Sequence, residues 1–299
     1  MRKFVINLLI LAGTSTMPLW ATANDSLIVS LSDPSKPATV RAEMMAGNIT
    51  ITSHSGDDVV IVTKESERRV AFNMPGFRED MEFEIDIPRI PELQRISSKE
   101  PDPEKVRGLT KVKSSGFGIS VEEEDNVIDI VLPPASLFSG NVRDLNVQVP
   151  KQTSLNLECM AGNVQVEDIE GTIEVEAMGG QINLDNISGT IIAHTMGDIT
   201  ASVARITPGK PMSFSSFNGE IDVTLPADIK ATVVLESHGN IYTDFDTSKR
   251  KVSQDVDEKE DDDRFMYDMK EVLEIPLNGG GPEIRFTNFS GNIYIRKGN

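Results

Sequence analysis

From Gly162 the chain reads GNVQVEDIE, GTIEVEAMG, GQINLDNIS, GTIIAHTM and GDITASVA. The glycines fall at 162, 171, 180, 189 and 197, spaced by 9, 9, 9 and 8 residues. Each unit is a glycine, a polar residue, a β-branched residue, a polar residue and an apolar residue. Alternation of period two makes a strand with one buried face. This puts Val164/Val166, Ile173/Val175, Ile182/Leu184 and Ile221/Val223 inward. Asn163/Gln165, Thr172/Glu174, Gln181/Asn183 and Glu220/Asp222 then point outward. Glycine at each boundary permits the positive φ of a tight corner. So short a strand cannot bury its apolar side alone. Stacked copies can, each backbone pairing with the next rung about 4.8 Å away. The expectation is an all-β fold, a β-solenoid-like stack of short Gly-x-Ile/Val-x-Val strands. One nonapeptide makes one side of a coil that has two or more sides. Ile173 and Ile182 are expected on adjacent rungs of one apolar column.

Further copies begin at Gly47 (GNITIT), Gly219 (GEIDVTL), Gly239 (GNIYTDF) and Gly291 (GNIYIRK). A longer echo matches Glu43-Met44-Met45-Ala46-Gly47-Asn48-Ile49 to Glu158-Cys159-Met160-Ala161-Gly162-Asn163-Val164 at an offset of 115. Two segments break the pattern. Residues 65–115 carry five prolines and dense mixed charge, although Met81 to Ile87 still alternates. Residues 246–271 include a run, 255–263, in which seven of nine residues are acidic. Such a run repels itself and is usually disordered. Both read as insertions grown from solenoid corners, leaving 24–299 a single β-repeat domain. A solenoid must cap its terminal rungs, and Leu27 to Leu31 and Ile293 to Arg296 are the candidates.

Residues 1–23 have the form of a secretory signal: basic Arg2 and Lys3, an apolar run from Phe4, and small Ala21-Thr22-Ala23 before the expected cleavage. No cysteine follows for a lipoprotein anchor. The product is expected to be exported, periplasmic or extracellular. The 29 Lys+Arg and 47 Asp+Glu give a net charge of -18, and removing Arg2 and Lys3 takes it to -20. That field repels nucleic-acid phosphate. No segment after the leader approaches the roughly 18 apolar residues of a membrane span. One cysteine, Cys159, cannot build an internal disulfide framework.

The Gly-x-Ile/Val-x-Val ladder, the segment Ile221 to Phe245 and the ending Leu277-Asn278-Gly279-Gly280-Gly281-Pro282 together resemble the bacterial "putative adhesin" family. That family is a β-strand repeat domain of otherwise unknown function. The resemblance covers about 116–299 well and 39–64 loosely. It implies an exported β-repeat fold with no catalytic residues to carry over. Members are sometimes associated with envelope-stress or regulatory systems.

Candidate chemistry is sparse. His54, His194 and His238 sit near corners and read as solvated, without His-x-x-x-His, Cys-x-x-Cys or Gly-x-Ser-x-Gly spacing. The outward acids Glu167, Glu174, Glu176, Asp185 and Asp222 invite calcium. The calcium-binding nonapeptide, however, needs a glycine where Ile182 stands and an aspartate where Leu184 stands. Polysaccharide cleavage needs paired carboxylates at fixed separation or a basic cluster, and the net charge would repel a polyanion. Met45, Met160, Met178 and Met196 recur before corner glycines and read as a core packing column rather than a thioether metal stripe. Cys159 reads as a buried or half-buried thiol and the one candidate for an intermolecular disulfide. Phe214, Phe217, Tyr242 and Phe289 form the candidate interaction surface, with stacked aromatics closing the last coils as the alternative.

The sequence therefore points to an exported, non-catalytic adhesin or cell-envelope scaffold without cofactor, metal site or catalytic residues. Its partner would be an envelope protein or a surface glycan. The alternative is a periplasmic partner in envelope-stress or regulatory signalling, and a more distant one is a polysaccharide-active enzyme.

Overall fold

The computed structural model describes residues 25–66, 119–132, 142–207, 209–261 and 264–298. The expected leader and most of segment 65–115, including Met81 to Ile87, lie outside the described residues. Twenty strands, with no helix among the described residues, join in one hydrogen-bonded network.

The network bends into two faces. In spatial order one face holds β1 (Asp25–Ser30), β4 (Asp58–Glu65), β7 (Arg143–Pro150), β3 (Ile49–His54) and β9 (Val164–Glu167). It continues through the start of β11 (Ile182–Thr195), then β12 (Ile199–Arg205), β14 (Ile221–Leu225), β20 (Ile293–Lys297) and β16 (Ile241–Thr243). The other holds β5 (Ser120–Glu124), β6 (Val127–Val131), β2 (Ala38–Ala46), β8 (Thr153–Ala161) and β10 (Glu170–Ala177). It ends with the second half of β11, β13 (Met212–Ser216), β19 (Glu283–Asn288), β15 (Ala231–Ser237), β18 (Arg264–Leu277) and β17 (Lys251–Asp261). The middle of each face is parallel; the outer strands β1, β4, β5, β17 and β18 pair antiparallel, whereas β16 at the end of the first face pairs parallel with β20.

A coil therefore has two sides, one nonapeptide each. The alternation holds: Val164, Val166, Ile173, Ile182, Ile221 and Val223 are fully buried, and the inward residues of both faces share one core. The two-sided coil corrects one expectation. Ile173 stacks on Leu155 and Ile191, whereas Ile182 stacks on Val164 and Ile199. A nine-residue step crosses to the opposite face, so rung neighbours lie two nonapeptides apart.

The rungs are not stacked in chain order. The β2–β3 coil lies between β6–β7 and β8–β9. This explains the echo at offset 115: Met44 pairs with Cys159 and Ile49 with Val164. At the far end β19 and β20 lie between β13–β14 and β15–β16. The last strand is thus internal, not a cap; the outermost strands are β1 and β16 on one face and β5 and β17 on the other. The acidic run also departs from expectation: its residues 255–261 lie on β17, paired antiparallel with β18.

The corner glycines serve a different purpose from the one expected. Gly189 has φ +116°, but Gly180 is not among the positive-φ residues. A Cβ on Gly180 would lie 1.8 Å from the carbonyl oxygen of Gly162, and one on Gly162 would lie 1.7 Å from that of Gly47. Close approach of successive coils, not backbone handedness, requires glycine there. Inward side chains at this corner tie each coil to the one below. Thr195 Oγ1 donates to the Gly180 carbonyl (2.7 Å), Ser216 Oγ to Gly197 (2.7 Å) and Asn288 Nδ2 to Gly219 (2.8 Å). The same side chains accept the N–H groups of the following glycines, 197, 219 and 291. Buried polar atoms are thereby satisfied.

Ile173→Asp is expected to cost at least about 3 kcal/mol, because it buries a charge with no partner. Glu174→Asp is expected to be silent. Gly180→Ala should cost about 1–3 kcal/mol, as overpacking does. Urea unfolding of the three variants checks the two-sided packing.

Candidate interaction surface

In-register stacking turns each strand position into a column. On the face carrying β8, β10 and β13, the inward column before the corner is Met44, Cys159, Ala177, Thr195, Ser216, Asn288 and Ser237. The next position must point out. There the chain places Met45, Met160, Met178, Met196, Phe217, Phe289 and His238 on consecutive rungs. Seven rungs extend about 29 Å at the usual strand spacing. Met160, Met178 and Met196 are 48, 45 and 49% exposed, and Met45 is half-buried. The methionines share one corner as expected, yet they are not a core column. The alternation Ile173, Val175, Ala177 already sends Met178 outward.

The aromatic candidates separate. Phe214 is corrected to a core residue: it is fully buried, its ring stacked on Phe286 at 5.3 Å. Phe217 and Phe289 are about half exposed and stack at 4.8 Å with rings 1° apart. The imidazole of His238 covers the far side of Phe289 at 5.1 Å. Exposed Tyr242 stacks on Tyr294 at 5.2 Å on the opposite face. Beside it the Arg296 guanidinium lies 5.4 Å over the Tyr294 ring and grips Asp222 through contacts of 2.7–3.0 Å. Tyr294 and Arg296 were not singled out from sequence, although the echo GEIDVTL/GNIYIRK aligns Asp222 with Tyr294.

Two columns flank the methionine–phenylalanine ridge. On its own face these are Glu43, Glu158, Glu176, His194, Ser215, Thr287 and Glu236. Across the corner stand Asn48, Asn163, Gln181, Asp198, Glu220, Asn292 and Asn240, a side-chain ladder. Its links include Asn163 N–H to Asn48 Oδ1 (3.1 Å), Gln181 Nε2 to Asp198 (3.0 Å) and Asn292 Nδ2 to Glu220 (3.1 Å).

The remaining reactive groups are scattered. Gly56 N–H donates to His54 Nδ1 (3.0 Å), so Nε2 carries the proton and donates to the Asp58 carbonyl (2.9 Å). His194 is exposed on one face, and His238 belongs to the ridge. Among the described residues no group of three His, Cys, Asp or Glu is placed to hold a metal. Asp222 is engaged by Arg296, Glu167 by Gln165 and Asp185 by Ser202, while Glu174 and Glu176 stand on outward columns. A depression of about 370 Å³ is lined by Phe245, Asp246, Lys249, Leu277, Asn278 and Lys297. Cys159 is buried, its thiol donating to the Gly47 carbonyl at 3.4 Å. Burial pushes that thiol up to about 11 against a smaller pull from the Ala161 backbone. A group so enclosed is not available for an intermolecular disulfide.

The two-sided stack and its columns can now be set against known proteins. The Toastrack DUF4097 family model matches residues 40–270. The chain belongs to this family. The match begins where the looser part of the sequence resemblance begins, and it stops short of β19 and β20. Two solved structures match the chain at 12% identity each. One is a Clostridium sporogenes protein described as a "putative cell adhesion protein" (TM-score 0.46, covering 92% of this chain and 100% of that one). The other is a Bacteroides fragilis protein described as a "putative adhesin" (TM-score 0.27, 93% and 98%). No curated protein matches the chain. Among the described residues, no helix of this Toastrack protein is long and apolar enough to cross a membrane.

Cys159 gives a direct check of the packing. In native protein near pH 8 an aromatic disulfide reagent should leave it untouched, and unfolding in guanidinium should release one equivalent of reactive thiol. Rapid labelling of the native protein would contradict the buried corner.

Proposed function

We propose that this Toastrack protein is an exported, non-catalytic interaction module of the cell envelope, acting as an adhesin or scaffold. The carrying observation is the exposed column of Met160, Met178, Met196, Phe217 and Phe289. A contiguous apolar stripe on a soluble fold marks an interaction site, and thioethers with aromatics are common at adaptable binding surfaces. The non-catalytic reading draws support from the dispersal of the histidines and from the burial of Cys159. Export draws support from the basic, apolar and small-residue sequence of 1–23.

Protease shaving of intact cells, beside a periplasmic extract, tests the reading. Loss of the chain on intact cells supports surface adhesion. Protection, with release into the periplasmic fraction, ends the adhesin reading and turns the search to an envelope partner. Recovery in the cytoplasm with residues 1–23 attached would overturn export altogether.

A further inference from the structure

The chemistry of the partner can be read from what surrounds the ridge, granting that the ridge is an interaction surface at all. Neither flanking column contains Lys or Arg. Glu43, Glu158 and Glu176 stand directly opposite one another on consecutive rungs. Among the described residues none of the three has a side-chain hydrogen bond or ion pair. Like charges directly opposite on a sheet are destabilising, so this column carries a repulsion that a cationic partner would relieve. On the other flank Asp198 and Glu220 accept only from neutral donors or backbone N–H. Among the described residues the apolar stripe thus runs between the Glu43, Glu158 and Glu176 row, without a counter-charge, and a polar flank whose Asp198 and Glu220 meet no cation. Glu236, at the far end of the first column, is ion-paired with Arg285 at 2.7 Å.

The same geometry disfavours other occupants. Sugars bind aromatic side chains through a free ring face. Phe217 and Phe289 give one face each to the other, and His238 lies against Phe289 with its ring tilted by 57°. An anionic lipid surface would meet carboxylates on both sides of the stripe. A second copy of the ridge would bring like-charged rows together.

From this we infer that the ridge Met45–Met160–Met178–Met196–Phe217–Phe289 docks a basic, apolar polypeptide segment of a partner protein. Its apolar side chains lie along the methionine and phenylalanine edges, and its Lys or Arg residues reach Glu43, Glu158 and Glu176. The contact extends about 24 Å, the length of a helix of about 16 residues. Electrostatic steering makes the association fast and salt-dependent.

The test uses the purified full chain and two fluorescein-labelled probes, (Leu-Lys-Lys-Leu)5 and (Leu-Glu-Glu-Leu)5, followed by anisotropy. The Lys probe should bind and the Glu probe should not. M160S/M178S/F217S changes half-exposed side chains and gives up the Phe217–Phe289 stack, so it should melt somewhat lower while keeping a native circular-dichroism spectrum; it should weaken binding tenfold or more. E158Q/E176Q should weaken binding severalfold and flatten its salt dependence. I28S, at an exposed apolar residue away from the ridge, should leave binding unchanged. Equal binding of the Lys probe to a natively folded M160S/M178S/F217S overturns the inference. So does equal binding of both probes, or ridge-dependent binding of a neutral chitohexaose in their place. Envelope attachment of the triple variant, measured in parallel, separates the two levels. Attachment without ridge-dependent peptide binding sinks this inference and leaves the proposed function standing. Ridge-dependent binding by a chain that cells do not display sinks the adhesin reading and leaves the ridge.

Discussion

The structure depends on one constraint: successive coils hydrogen-bond in parallel and in register, with a repeat of two nonapeptides. Once that holds, no residue is a single event. Each strand position becomes a column, and the column's chemistry is the sum of what several coils place there. The core consists of Ile, Val and Leu columns facing inward from two sides. Close approach at the corner follows from the same constraint. Gly180 lies over Gly162 and Gly162 over Gly47, with no room between them for a Cβ. A substitution there disturbs the contact between coils and not just one turn.

The corner couples stability to surface chemistry. The inward position before the glycine holds Thr195, Ser216 and Asn288, which clamp each coil to the carbonyl of the one below. Cys159 makes the same contact with a weaker donor. Satisfying those carbonyls internally leaves the next residue free of structural duty and turned to solvent. Methionine or phenylalanine occupies it on most rungs, about half exposed. Apolar residues at so exposed a position on successive rungs are the physical reason to regard the ridge as functional. Glu43, Glu158 and Glu176 beside it, on an already anionic chain, argue in the same direction.

Much of this was legible in the sequence. The period-two alternation assigned inward and outward residues correctly, and the nonapeptide spacing gave the rung. The echo between Glu43 to Ile49 and Glu158 to Val164 was visible, but its meaning as physical adjacency was not. Sequence similarity does not say whether related rungs touch. The count of two sides per coil was left open, which is why Ile173 and Ile182 were put in one column. The exposure of Met178 could have been read by extending Ile173, Val175 and Ala177 one step. The usual preference of methionine for cores argued against doing so. The strand pairing of residues 255–261 was hidden, because charge density along one segment says nothing about which strand lies beside it. Phe214 and Phe217, three residues apart, were grouped by composition, although an odd separation along a strand puts them on opposite faces.

The claim that separates this architecture from a simple sequential stack is the placement of the last coil inside the earlier ones. Asp222, Tyr294 and Tyr242 occupy one outward column in that spatial order. In a Cys159→Ser background, pairs of cysteines at 222/294, 294/242 and 222/242 can be probed with a cross-linker of about 5 Å, the spacing of adjacent rungs. Efficient linkage of 222 to 294 and of 294 to 242, with little between 222 and 242, is the expected result. Efficient linkage of 222 to 242, with little between 222 and 294, would mean that the coils stack in chain order. The columns described here would then be wrong at that end.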